Sequence, residues 1–156
     1  MARAYGSLKL FALLLLLPVA GAAAETCPWL NAATAGGVLG SPATVTVTHE
    51  NANRDDAACI FAGTSGTLRI SVQTMETPRS EFASHAEACG ANTTPLKAIG
   101  NEAVVCDPDK LSAQAIGRVR NRIFTILIST TDSSAVAAVL REKARSLAEQ
   151  VAGNLF

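Results

Sequence analysis

The chain has 156 residues, 13 basic and 13 acidic side chains, and is 49% hydrophobic but only 4% aromatic. The even charge balance excludes a protein that works by electrostatic attraction to nucleic acid or to an anionic membrane surface. With so few aromatic rings, the core has to be built from aliphatic side chains.

Residues 1–24 read as a cleavable secretory signal peptide. Arg3 and Lys9 supply positive charge, residues 10–19 form an apolar run, and small residues from Ala20 to Ala24 precede cleavage after Ala24. The run is about half of the roughly 20 residues that span a bilayer, and Pro18 ends it, so no retained transmembrane helix is expected. Cys27 follows Ala24, Glu25 and Thr26 rather than the apolar and small residues of a lipoprotein signal, so no lipid anchor is expected either. The mature part, residues 25–156, loses Arg3 and Lys9 and keeps 11 basic against 13 acidic groups, a charge of about −2. Its length suits a single domain with one modest core. The expected location is the periplasm or the exterior, with no stable membrane insertion after cleavage and no nucleic-acid partner.

Residues 30–40 read as a short helix, with Asn31 able to cap it, Leu30 to staple its first turn and Gly40 to close it. Residues 44–49 alternate threonine with Val45, Val47 and His49, the period of a half-buried strand, and residues 50–56 follow as a polar loop. Residues 58–62 form a short apolar strand, Gly63 to Gly66 supply a turn, and residues 67–75 set Leu68, Ile70 and Val72 on one face against Arg69, Ser71 and Gln73 on the other. These three strands predict an antiparallel meander.

Thr77-Pro78 starts a second helix, on which Phe82, Ala86 and Cys89 share a stripe before Gly90. Residues 91–101 read as loop, residues 103–106 as a brief strand and Asp107-Pro108-Asp109 as a turn. Residues 113–119 and 122–130 predict a hairpin turned at Arg120-Asn121. Its second strand carries Phe124, Ile126 and Ile128 on one face and Ile123 and Leu127 on the other, which predicts a central position. A last helix over residues 134–152 is started by Asp132 or Ser133, closed by Gly153, and buries Val136, Val139, Leu140, Leu147 and Val151, with Arg141, Glu142, Arg145 and Glu149 outside. The expected class is α+β, antiparallel sheet or sheets packed by helices in the order α-βββ-α-βββ-α, with a hint of two similar halves joined through the middle helix.

All four cysteines, Cys27, Cys59, Cys89 and Cys106, fall in the mature part, and an even count in an exported chain favours structural disulfides. No Cys-x-x-Cys pair suggests a redox or zinc site. Four cysteines allow three connectivities. Because each half has one cysteine at a helix end and one on a strand, pairing within halves, Cys27 with Cys59 and Cys89 with Cys106, is the working expectation.

No constellation of residues amounts to a catalytic, cofactor or metal site. Glu81 and His85 share a helix face, but no third ligand is placed beside them, and His49 reads as a partly buried edge residue. The Gly63-Thr64-Ser65-Gly66 loop lacks the strand-to-helix context of a serine nucleophile. Glu102, Asp107 and Asp109 lack the interleaved pattern of a calcium loop, and Asn92-Thr93-Thr94 is a glycosylation sequon that matters only in a glycosylating host. Arg118, Arg120 and Arg122 form the densest basic cluster, able to grip a carboxylate or phosphate or simply to guard a hairpin tip against aggregation. They are the candidate binding surface.

Cys27-Pro28-Trp29-Leu30, Gly37-Val38-Leu39-Gly40, Cys59-Ile60-Phe61, Ile99-Gly100-Asn101-Glu102-Ala103 and the run 117–128 before an alanine-rich last helix resemble a group of small secreted bacterial proteins, many of them lipoproteins, classed as a domain of unknown function. The resemblance implies a fold and no activity, and the chain departs from the lipoprotein members in lacking a lipidation site. The expected function is a non-enzymatic envelope or extracellular domain, without cofactor, that binds a small molecule or an envelope protein through a sheet face or loop. The alternatives are a hydrolase assembled from scattered residues such as His85 and Glu81, and a subunit of an envelope assembly.

Overall fold

The computed structural model describes residues 25–49, 56–90 and 92–156; residues 1–24, read above as a signal peptide, and most of the stretch 50–56, read as a polar loop, lie outside the described residues. The elements are α1 (Ala32–Leu39), β1 (Thr44–His49), β2 (Ala57–Gly63), β3 (Gly66–Thr74), α2 (Pro78–Ala88), β4 (Thr94–Leu96), β5 (Glu102–Cys106), β6 (Ser112–Val119), β7 (Arg122–Thr130) and α3 (Ala137–Leu155). All seven strands form one antiparallel sheet in the order β1-β2-β3-β7-β6-β5-β4. The fold is therefore α+β, with one strand more than the sequence predicted.

The extra strand, β4, lies in the stretch read as a loop. Pro95 cannot donate to a ladder, which argues against a strand, but β4 is at the edge of the sheet, where proline is tolerated. The helix boundaries follow local chemistry. Asn31 Oδ1 accepts from Thr34 N at 2.8 Å, which caps α1, and Gly40 closes it in the left-handed conformation. Pro78 sits at the first turn of α2, where its missing N–H costs nothing.

α3 begins later than predicted and runs through Gly153. The Asp132 carboxylate accepts from the Ser134 amide at 2.9 Å and the Ser134 hydroxyl at 2.7 Å, so the chain makes a side-chain-closed turn before the helix can start. Val136 and Val139 consequently stand outside the buried stripe, 61% and 53% exposed. The stripe is Leu140, Ala144, Leu147, Ala148, Val151, Ala152 and Leu155. Asp56, read as part of a polar loop, is instead buried, its Oδ1 accepting from the Thr74 amide at 3.0 Å and the Thr74 hydroxyl at 2.8 Å.

The two faces of the sheet are covered differently. On one, Leu68, Ile70 and Val72 of β3 face Ile128, Ile126 and Phe124 of β7, and this row extends through Phe61 and Cys59 on one side and Ala113 and Ala115 on the other. α1 and α3 bury that face in the main core. On the opposite face a smaller core joins Phe82 of α2 to Val104, Ile116 and Ile123. α2 therefore lies over β6 and β7 at one end, and among the described residues no helix packs on that face over β1 to β3.

The cysteines pair as Cys27–Cys59 and Cys89–Cys106, with Cα separations of 5.8 and 5.7 Å. The first ties the segment before α1 into the main core, and the second ties the end of α2 to β5 on the other face. The two halves thus share a disulfide plan, but the second has four strands to the first's three, and α1 and α2 lie on opposite faces of the sheet. Two disulfides point to an oxidising, extracytoplasmic environment. Among the described residues no helix is long and apolar enough to cross a membrane.

Candidate functional site

The arginine cluster does not form one surface. In the hairpin, Arg118 pairs with Ile123 across the strands on the α2 face, whereas Arg122 pairs with Val119 on the main-core face. Arg118 is 11% exposed; its Nε donates to Glu102 Oε1 at 2.5 Å and its Nη1 to the Arg120 carbonyl at 2.8 Å. Arg122 lies beside Pro28, Trp29 and Asn154. Arg120 is exposed in the turn with φ of 56°, and its amide donates to Asn101 Oδ1 at 2.6 Å.

Glu102, Asp107 and Asp109 also go separate ways. Glu102 holds Arg118, and Asp107 takes both forks of Arg141, Nε at 2.7 Å and Nη2 at 2.5 Å, raising the Arg141 pKa through that hydrogen bond. Asp109 Oδ1 accepts from the Leu111 amide at 2.7 Å. Among the described residues no group of three or more histidines, cysteines or carboxylates is placed to hold a metal. His49 Nε2 lies 2.7 Å from Glu25 Oε1. Glu81 lies 3.5 Å from the Thr77 hydroxyl, at the start of α2.

His85 leads to a different site. With β3, β7 and β6 adjacent, the register aligns Arg69, Leu127 and Gln114 in one row and Ser71, Thr125 and Ile116 in the next, all on the α2 face. α2 covers the apolar end of this floor, Ile116 and Ile123, and stops there. At its margin His85 forms the wall of a cleft of about 300 Å3 floored by Arg69, Ser71, Gln73, Gln114, Thr125 and Leu127. The polar groups of three strands and one helix converge on it, and among the described residues no carboxylate lines it.

No family model, curated protein or solved structure matches this chain.

A larger groove, about 410 Å3, lies on the other face between the end of α1 and the start of α3. Val38, Leu39, Ile128, Val136, Val139 and Leu140 make it largely apolar, and Lys143 at its side donates Nζ to the Val38 carbonyl at 2.7 Å. Asp132 on its rim has a carboxyl held below the usual aspartate range by the Ser134 hydroxyl and amide. Its polar groups are engaged in local turns and caps.

The sequence signal for the cleft was partial. Arg69, Ser71 and Gln73 were legible as the polar face of a strand, and His85 as a helix surface residue. Gln114 and Thr125 drew no attention, because nothing local shows that β6 and β7 lie next to β3.

Proposed function

We propose that this chain is a binding domain working outside the cytoplasm, which holds a small polar molecule in the cleft between α2 and the uncovered half of the sheet. The observation that carries this reading is the convergence of Arg69, Ser71, Gln73, His85, Gln114 and Thr125 on one concavity that the fold leaves open. At about 300 Å3 the cleft is at the small end of the roughly 300–1,000 Å3 of ligand sites, sized for a metabolite rather than a polymer. Its donors and acceptors are of the kind that fix a ligand's orientation. The disulfides support a setting outside the cytoplasm.

The hydrolase alternative requires a histidine to activate a hydroxyl. Among the described residues neither His49 nor His85 makes a hydrogen bond to a serine or threonine hydroxyl, and all four cysteines are in disulfides.

The test is amide chemical-shift mapping of the oxidised, exported protein with the small-molecule extract of the host's periplasm and culture medium. Perturbations are expected on β3, β6 and β7 around Arg69, Gln114 and Thr125 and on α2 around His85. Perturbations confined to the α1/α3 groove, or none, would rule the reading out.

A further inference from the structure

We infer that β1 is an interaction edge whose occupant is the β1 of a second copy of this chain, paired antiparallel about a two-fold axis at Thr46. The inference is independent of the sheet cleft, which no β1 residue lines.

The sheet ends on β1 at one side and on β4 at the other, and the two edges are built differently. An end strand offers a row of N–H and C=O groups to any passing strand, and proteins blunt such edges by keeping them short or by placing charge, proline or a bulge there. β4 is blunted: it has three residues, and Pro95 in its middle withholds a donor. β1 has none of these devices. It runs for six residues, Thr-Val-Thr-Val-Thr-His, without proline, lysine, arginine or carboxylate. It pairs residue for residue with β2, from Thr44 opposite Ala62 to His49 opposite Ala57, so no bulge twists it away. All six side chains are exposed or half-exposed, and the one that can carry charge, His49, stands at the far end beside Glu25.

This composition suits a copy of itself. A foreign strand added to an edge is recognised by pockets that take its alternate side chains. Neither the sheet cleft nor the α1/α3 groove includes a β1 residue. A second β1 needs no pocket. With Thr46 on the axis, Thr44 stands opposite Thr48 of the second copy and Val45 opposite its Val47. Opposed residues of an antiparallel pair share a face, so threonines meet threonines on the α2 side of the sheet and valines meet valines on the main-core side. Threonine pairs are favourable across strands, and no like charges are opposed.

A six-residue strand is about 20 Å long, so the contact is small and of the weak, reversible class. In the dimer the two seven-stranded sheets become one. The stretches from β1 to β3, over which no helix packs on the α2 side among the described residues, become a single floor flanked by the two α2 helices.

The experiment is sedimentation velocity of the oxidised, exported protein over about 1 μM to 1 mM, the range open to so small a contact. A monomer–dimer equilibrium is expected, with β1 amides gaining protection from hydrogen exchange as the concentration rises. Thr46→Lys sets two ammonium groups against each other at the axis and is expected to weaken association by about tenfold or more, and Thr46→Glu to do the same with two carboxylates. An equal mixture of the T46K and T46E proteins is expected to restore association, because opposite charges then meet. Thr46 is exposed, so each variant is expected to keep the parent's melting temperature at monomeric concentration.

A chain that stays monomeric over the whole range would overturn the inference and leave the edge to a strand of another protein. A dimer undiminished by T46K and T46E would overturn it equally, by placing the interface elsewhere. Weakening by both charges without recovery in the mixture would overturn the pairing about Thr46.

Discussion

Gly117 faces Phe124 across the β6–β7 ladder, and a β-carbon at Gly117 would lie 2.2 Å from the ring's Cζ. The ring occupies the space the glycine leaves, and Phe124 is fully buried there. Gly117→Ala is expected to destabilise the fold by about 1–3 kcal/mol through overpacking, seen as a lower urea midpoint with an unchanged slope. Gly100, with φ of 59°, lies against the same hairpin: a β-carbon there would approach the Arg118 carbonyl oxygen to 2.4 Å. The stretches 99–103 and 117–128 are thus partners in one packing arrangement, with Asn101 and Glu102 bonding the hairpin.

Asp132 allows a second measurement at the same scale. Its carboxyl is held below the usual range by Ser134, so the folded state binds a proton there less readily than the unfolded chain does. The stabilisation is present above the unfolded pKa and is lost as the pH falls through the depressed folded one. Asp132→Ala is therefore expected to lower the melting temperature near neutrality and to have a vanishing effect in strong acid, as thermal melts across that range would show.

Among the helices, α2 buries the fewest side chains. It buries Phe82 and partly buries Ala86 and Cys89, and its main-chain end is tied to the sheet by Cys89–Cys106. α3, by contrast, buries seven side chains in the main core and is latched by Arg141 to Asp107 and by Asn154 to the Trp29 carbonyl at 3.0 Å. A helix with one small apolar contact opens at low free energy unless it is tethered. Replacing both Cys89 and Cys106 by serine is expected to cost about 3 kcal/mol and to raise amide exchange in α2 well above that of α3. The same change should weaken any ligand response in the cleft, because α2 positions His85. Equal exchange in the two helices would show that packing alone holds α2.

For the whole molecule, chain order and face assignment follow different rules. The strand periods, the Asn31 and Pro78 helix starts, the Arg120-Asn121 hairpin and the central position of β7 could all be read from local pattern, because alternation and turn chemistry act over a few residues. Pairing of cysteines within halves was legible for a similar reason, each bridge joining a helix end to a strand of the same half. Tertiary structure decided the rest. β3 and β7 are separated in sequence by α2 and three strands yet form the centre of the sheet, and only their pairing sets Arg69 beside Leu127 and Ser71 beside Thr125. The neighbouring arginines, by contrast, were divided between faces, because a strand turns successive side chains to opposite sides and a two-residue hairpin preserves that alternation. The sequence by itself determined the class and every element but β4, all governed by local chemistry, and it pointed to cysteine pairing within halves without excluding the other connectivities. Which face α2 covers, and so where the cleft opens, depended on how distant apolar stripes could be buried together, and no local signal encodes that choice.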